Sequence, residues 1–296
     1  MKHQIEYAAV RTLVALVAHL PDSAVRALGT ALGRVFYVVD RNHRRIAERN
    51  LAAAFPQRPV HERRQIAKAA FEHFGRLGFE LIKFSTLSNE EMLARVEVDG
   101  EERSRHAYAQ GKGVLFITGH FGFWELQALI HALRVEPIAV LARPLDNPLL
   151  NDLLERIRQK TGNTIIYRRG AIRRVMRTLD AGRGVAILID QHIMGRDAIH
   201  VEFFSRPAAT TTAVAALALR TGAPVVPVFA LPADGGRYRL IFEHPIAPPD
   251  PASDDALLEF TQRCTDVLEM YVRRNPELWL WMHRRWRDDR SLKSEV

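Results

Sequence analysis

Cysteine is almost absent from this chain: Cys264 is the only one among 296 residues, so no disulfide can form within it. No group of cysteines and histidines has the spacing of zinc ligands. So little cysteine is typical of a protein from a reducing compartment. Cys264 lies in a segment with helical periodicity, where we expect a small buried apolar residue rather than a reactive thiol.

Long uninterrupted apolar runs are also missing. Arg11 and His19 interrupt the stretch Tyr7–Leu20, which Pro21 ends, and a spanning helix needs roughly 20 apolar residues. The next apolar stretch, Val25–Val39, contains two arginines and leads into the basic run Arg41–Arg45. We therefore predict two membrane-associated helices in residues 1–40, lying in or re-entering the interface, before one larger domain at 41–296. Ordinary amphipathic core helices are the alternative.

Several functional motifs are absent, and each absence argues against a class of protein. No serine has the Gly-x-Ser-x-Gly context of an α/β hydrolase. Gly111 and Gly113 have no third glycine for dinucleotide binding, and no Gly-Lys-Ser/Thr triplet marks a phosphate loop. The zinc-hydrolase motif His-Glu-x-x-His is missing too.

Basic residues exceed acidic ones, giving a formal net charge of +8. This balance favours anionic partners such as phospholipid headgroups, an acidic carrier protein or nucleic acid. The basic residues are scattered and no nucleic-acid-binding motif accompanies them, so we expect no nucleic acid partner.

From Val96 onward, short apolar runs alternate with longer amphipathic ones, which predicts an α/β fold with a mixed, mostly parallel central sheet flanked by helices. The final strand follows a Gly-Gly turn, which indicates an antiparallel addition at the edge of the sheet. The predicted strands are 113–118, 137–141, 163–166, 185–189, 224–229 and 237–242. The predicted helices of this part are 123–133, 148–160, 171–181, 210–221 and 254–274, after helices at 42–55 and 60–84.

The segment Thr118-Gly-His-Phe-Gly-Phe-Trp-Glu125 follows a buried strand, at the kind of strand end where α/β proteins build their sites. His120 and Glu125 would diverge on one continuous helix, but they converge if His120 stays in the turn. Glu125 would then hold one imidazole nitrogen while the other removes a proton from an alcohol. The alternative for such a pair is a structural one, because a lone histidine often satisfies a core hydrogen bond.

Five landmarks in order resemble those of the bacterial lipid A biosynthesis lauroyl/myristoyl acyltransferase family, within the lysophospholipid acyltransferase-like group. They are the segment 118–125, Ala142-Arg-Pro-Leu-Asp-Asn-Pro148, Asp190-Gln191, Phe203-Phe204 with 209–212, and Pro276-Glu-Leu-Trp-Leu-Trp-Met-His-Arg-Arg-Trp286. The resemblance implies a glycerol-3-phosphate acyltransferase-like fold. It also implies transfer of an acyl chain from a thioester of acyl carrier protein or coenzyme A to a hydroxyl of a lipid A precursor.

The resemblance implies that His120 is the general base and Glu125 its partner, with no cofactor and no metal. Arg143 is expected to bind phosphate or stabilise the reacting carbonyl, and Asp190 to orient Arg143. The further candidates for substrate binding are Asn147, Gln191, Phe121, Trp124 and Arg169. Arg169 belongs to a basic stretch that would meet acceptor phosphates or a carrier protein, unless it is merely a solvated helix face.

The implied location is the cytoplasmic face of the bacterial inner membrane, reached peripherally or through the N-terminal helices. The expected acceptor is an anionic lipid. Two alternatives stay open: an acyltransferase for another glycolipid or phospholipid, such as a phosphatidylinositol mannoside, and a non-catalytic lipid-binding protein on the same scaffold.

Overall fold

A computed structural model describes residues 2–167, 170–195, 198–250 and 253–287. The helices are α1 Lys2–His19, α2 Asp22–Val39, α3 Arg41–Ala54, α4 Val60–Thr86, α5 Asn89–Ala94, α6 Glu101–Tyr108, α7 Trp124–Arg134, α8 Pro148–Gln159, α9 Ala171–Asp180, α10 Ala213–Thr221 and α11 Ala256–Arg274. The strands are β1 Val96–Asp99, β2 Val114–Thr118, β3 Ala139–Ala142, β4 Thr164–Tyr167, β5 Gly184–Leu188, β6 Ala198–Glu202, β7 Pro207–Thr211, β8 Val225–Pro232 and β9 Tyr238–Phe242.

The central sheet has the order β1-β9-β8-β2-β5-β3-β4, and all its pairings are parallel except that of β8 with β9. The predicted α/β class and the mostly parallel sheet are therefore confirmed. The strands are apolar because helices cover both faces: every residue of β2 is buried, and two buried apolar clusters lie against the sheet. Since β2 and β5 are parallel neighbours, the residues after them meet at one edge of the sheet. We call it the catalytic edge.

Two details of the sequence prediction are wrong. Strand β9 does not lie at the edge, because β1 pairs with its outer side. Residues 210 and 211 belong to strand β7, which forms an antiparallel pair with β6, and helix α10 starts only at Ala213. Buried Arg285 secures this pair, donating to the carbonyl of Ala209 at 2.5 Å and to the Thr210 hydroxyl.

Helix α2 packs directly along α4 through glycines. The Cα of Gly29 faces Arg76 so closely that a Cβ there would lie 2.6 Å from the Arg76 Cα. A Cβ on Gly75 would similarly lie 2.8 Å from the Cα of Gly33. The N-terminal helices therefore contact the helical layer of the rest of the chain, while another flank of α2 exposes apolar side chains: Leu28, Leu32, Val35, Phe36, Val38 and Val39. Among the helices of the described ranges, none is long and apolar enough to cross a bilayer.

We predict that Gly75→Ala destabilises the protein by about 1–3 kcal/mol, because its Cβ would meet backbone that cannot yield cheaply. Gly78→Ala is the matched control: it lies on the same helix, its Cβ would meet nothing within 4 Å, and alanine favours helix by up to about 1 kcal/mol. Urea unfolding of both variants measures the difference. Equal stability of the two would contradict the close packing of α2 on α4.

Candidate active site

The loop after β2 carries His120, and two glycines allow its path. A Cβ on Gly119 would lie 2.9 Å from a Leu268 methyl and 3.1 Å from the Asp190 carboxyl carbon. Gly122 has φ of +56°, and its Cβ would meet the carbonyl oxygen of Ala230. Larger residues at these positions would push His120 away from the sheet edge.

Asp190, two residues after the end of β5, accepts three hydrogen bonds. The His120 imidazole donates from Nδ1 to Oδ1 at 2.8 Å, and the His120 backbone N–H donates to Oδ2 at 2.7 Å. Trp279 donates from Nε1 to Oδ2 at 2.9 Å. These bonds fix the imidazole with Nε2 pointing away from Asp190, where Gln191 Nε2 lies 3.4 Å from it.

The opposite charges of His120 and Asp190 stabilise each other. Burial disfavours the imidazolium of His120, but the charge and hydrogen bond of Asp190, with help from the Glu125 charge, raise the pKa of His120 above its ordinary value. Burial likewise disfavours the Asp190 carboxylate, yet His120 and Trp279 hold the pKa of Asp190 below its usual range. An ionised, buried Asp190 thus sets the orientation and the charge of a partly exposed imidazole.

Glu125 does not hold the imidazole, so the contact expected from the sequence is wrong. It lies in the first turn of α7 and forms a two-pronged ion pair with Arg158 of α8, at 2.9 Å from Nε to Oε2 and 2.5 Å from Nη2 to Oε1. Trp124 Nε1 donates to the same carboxylate at 3.2 Å, and its ring centre lies 5.3 Å from that of His120. Glu125 thus acts on His120 through its charge rather than through a hydrogen bond.

Arg158 was missed by sequence reasoning. Both side chains of this ion pair are mostly buried, with Arg158 18% exposed and Glu125 13% exposed. The arginine is therefore part of the site together with the carboxylate. Its helix is amphipathic, and the sequence alone does not show which of its basic residues turns inward. A buried arginine needs a carboxylate, and only the packing of α8 on α7 reveals which one.

The structure also separates Arg143 from Asp190, which was expected to orient it. Arg143 follows β3 at the catalytic edge, with its side chain 81% exposed and 3.6 Å from Asp146. Asn147 caps α8, accepting from the N–H of Leu149 at 3.0 Å, and its amide donates to the His3 carbonyl at 3.0 Å. Its polar groups are therefore used within the protein.

The two aromatic candidates, Phe121 and Trp124, differ in burial. Phe121 is fully buried and packs against Phe229 and Tyr271, so it belongs to the core. Trp124 is half-buried beside His120 and stays a candidate. Arg169 lies outside the described residues.

The C-terminal segment completes the site. The N–H of Leu280 donates to the carbonyl of His120 at 3.1 Å, and the N–H of Gly122 donates to the carbonyl of Leu278 at 2.9 Å. Burial lowers the pKa of His283 to about 4, and its neutral Nε2 accepts from the N–H of His192 at 3.0 Å. The Trp-rich C-terminal segment therefore packs over the loops that carry His120 and Asp190.

Comparison with known proteins gives one consistent result. A sequence model of the family described as "Bacterial lipid A biosynthesis acyltransferase" matches residues 2–288. The lipid A biosynthesis lauroyltransferase of Escherichia coli is 32% identical over 278 residues, covering 92% of this chain and 88% of the relative. The lipid A biosynthesis palmitoleoyltransferase of the same organism is 27% identical with the same coverage. A lipid A biosynthesis acyltransferase of Haemophilus influenzae is 24% identical over 82% of this chain and 75% of its own length.

We predict that Asp190→Asn lowers the pKa of His120 to below its ordinary value of about 6.5, because burial then outweighs the remaining attraction. NMR titration of isotopically labelled histidines measures this value. Asp266→Asn, on the exposed surface of α11, is the matched control and should leave the pKa of His120 unchanged. An unaltered His120 titration in Asp190→Asn would show that Asp190 does not set the charge of the imidazole.

Proposed function

Because the chain belongs to the bacterial lipid A biosynthesis acyltransferase family, we propose that it moves a fatty acyl chain from an acyl thioester to a hydroxyl of a lipid A precursor. The donor is a thioester of acyl carrier protein or coenzyme A. The observation that carries the mechanism is the oriented imidazole: Asp190 holds His120 Nδ1, which leaves Nε2 as the proton acceptor.

In the proposed reaction, Nε2 of His120 takes the proton of the acceptor hydroxyl as its oxygen attacks the thioester carbonyl. The carbon–sulfur bond of the tetrahedral intermediate then breaks, and the imidazolium returns the proton to the departing thiolate. The products are an ester of the acceptor and a free thiol. Asp190 stabilises the imidazolium between the two steps, as the buried aspartate of a Ser-His-Asp triad stabilises the imidazolium of its histidine.

Glu125 and Arg158 act on the charge of this base. The Glu125 carboxylate raises the pKa of His120 and the Arg158 guanidinium lowers it, so the ion pair tunes the imidazole without touching it. Arg143 is the proposed contact for an acceptor phosphate, since its guanidinium is exposed at the catalytic edge. Gln191, near Nε2, is the proposed hydrogen-bonding partner for the reacting groups.

We propose peripheral attachment at the cytoplasmic face of the inner membrane, with residues 1–40 as the membrane-associated part. The support is the exposed apolar flank of α2 followed by the basic start of α3. Helices of this kind bind the interface without spanning it.

The function is tested by incubating the purified full-length chain with acyl carrier protein thioesters or coenzyme A thioesters and a panel of acceptors. The panel contains a lipid A precursor, a phosphatidylinositol mannoside and a lysophospholipid, and mass spectrometry identifies the product. We expect a new ester on the lipid A precursor. Transfer only to another acceptor would overturn the substrate, and lipid binding without transfer would overturn the enzymatic function.

We predict that His120→Ala and Glu125→Gln each lower kcat by about 10²-fold or more while the protein stays folded. The first removes the base, and the second removes a negative charge that favours its protonated form. Glu259→Gln, in an exposed ion pair of α11, is the matched control and should retain wild-type kcat. Steady-state rates with circular dichroism as the folding check decide this. Full activity of His120→Ala would make the mechanism wrong.

A further inference from the structure

The two most exposed large apolar side chains of the described residues are Met194 and Ile172, which are 74% and 70% exposed. Met194 lies in the loop after β5, four residues beyond Asp190, and Ile172 lies at the start of α9, just after β4. Leu145, 44% exposed, lies in the loop after β3. Parallel strands place the ends of β3, β4 and β5 on one side of the sheet, so all three belong to the catalytic edge.

These side chains are presented by anchored backbone. The N–H of Leu145 donates to the Asn151 side chain at 3.0 Å, which ties its loop to α8. Helix α9 buries Val175 and Leu179 against the core, and Ile172 lies on the same stripe of the helix one turn earlier, where it is exposed at the N-terminal end. The loop of Met194 is held two residues earlier, where His192 N–H donates to His283. Several exposed apolar side chains at one edge of the sheet, each on anchored backbone, suit contact with an apolar phase.

Helix α1 extends this surface. Asn147, which caps α8 beside Leu145, donates to the carbonyl of His3 at 3.0 Å and to the carboxylate of Glu6 at 2.8 Å. Ile5, between these two residues, is 64% exposed. The exposed apolar end of α1 therefore lies next to the loops of the catalytic edge.

Arginines border the apolar groups. Arg173 is exposed next to Ile172, and Arg143 is exposed two residues before Leu145, with Asp146 offsetting part of its charge. Long cationic side chains beside exposed apolar ones suit an anionic bilayer, because the guanidinium reaches the phosphates while the apolar groups enter the acyl region. The formal charge of +8 on the chain acts in the same direction.

We propose that this part of the catalytic edge is a docking surface for an anionic lipid bilayer, separate from α2. We call it the edge surface; it consists of Ile5, Leu145, Ile172 and Met194 with Arg143 and Arg173. The inference rests on the proposed function, because a site at this edge then opens towards the leaflet that supplies its lipid acceptor. Binding through the edge surface would make the site of His120 face the bilayer, and it would also hold the protein at the membrane.

The test compares vesicle binding of two triple variants of the full-length chain. Leu145→Gln, Ile172→Gln and Met194→Gln change the edge surface. Val60→Gln, Leu219→Gln and Leu257→Gln are the matched control, since those residues are exposed by 52%, 37% and 36% elsewhere. Sedimentation with vesicles of phosphatidylethanolamine and phosphatidylglycerol measures the partition coefficient. We expect the edge triple to bind about tenfold more weakly or worse, and the control triple to bind like wild type.

A charge variant tests the arginine. Arg173→Gln should weaken binding to these anionic vesicles by about fivefold at low salt and leave binding to neutral phosphatidylcholine vesicles unchanged. Equal binding by the edge triple and wild type would overturn the proposal, as would an equal loss in the control triple. A higher KM for the carrier-protein thioester with unchanged vesicle binding would assign the surface to the donor protein instead, which also overturns it.

The assay contains neither donor nor acceptor, so its outcome does not depend on acyl transfer. If the proposed function fails, the wild-type protein binds vesicles but forms no ester. If the edge surface fails, ester forms and the edge triple still binds vesicles like wild type.

Discussion

The buried carboxylate of Asp190 is the interaction on which the site depends, because it joins three parts of the chain that are far apart in sequence. It receives the imidazole and the backbone N–H of His120 from the end of β2, and the indole N–H of Trp279 from the C-terminal segment. An ionised carboxylate in the interior is costly unless hydrogen bonds satisfy it. Removing any of the three donors would therefore disturb the other two contacts as well as the one lost.

The sheet makes this contact possible. Parallel pairing of β2 with β5 brings His120 and Asp190 to the same edge, and Gly119 lets the carboxylate approach the loop closely. Buried His73 supports the loop from another direction, donating from Nε2 to the carbonyl of Gly122 at 3.2 Å. Burial lowers the pKa of His73 to about 3, so it remains a neutral donor and adds no charge near His120. The position of His120 is thus determined by the core and not by the loop alone.

Sequence patterns predicted the strands and helices well because the spacing of apolar residues indicates which side chains are buried. Both the strands and the helices that cover them bury apolar side chains at such spacings. Thus the predicted strands 113–118 and 185–189 match β2 and β5 within one residue. The position of β1 outside β9 and the β6–β7 pair were missed, since strand order depends on packing over long sequence distances. For the site, the sequence singled out His120, Glu125 and Asp190 but assigned their contacts wrongly. Spacing along the chain does not show that Asp190 reaches the imidazole or that Arg158 takes Glu125.

Two carboxylates lie close to one imidazole, and the general base proposed for His120 must be neutral before it accepts a proton. Asp190 and Glu125 both favour the imidazolium, and a pKa raised too far would leave His120 protonated at neutral pH. Arg158 opposes them, since its charge lowers the pKa of His120 while its two hydrogen bonds occupy Glu125. The geometry thus separates two tasks: Asp190 fixes the orientation of the imidazole by contact, and the Glu125–Arg158 pair adjusts its basicity from a distance. A direct bond from Glu125 to the imidazole would merge these tasks and leave Arg158 buried without its carboxylate.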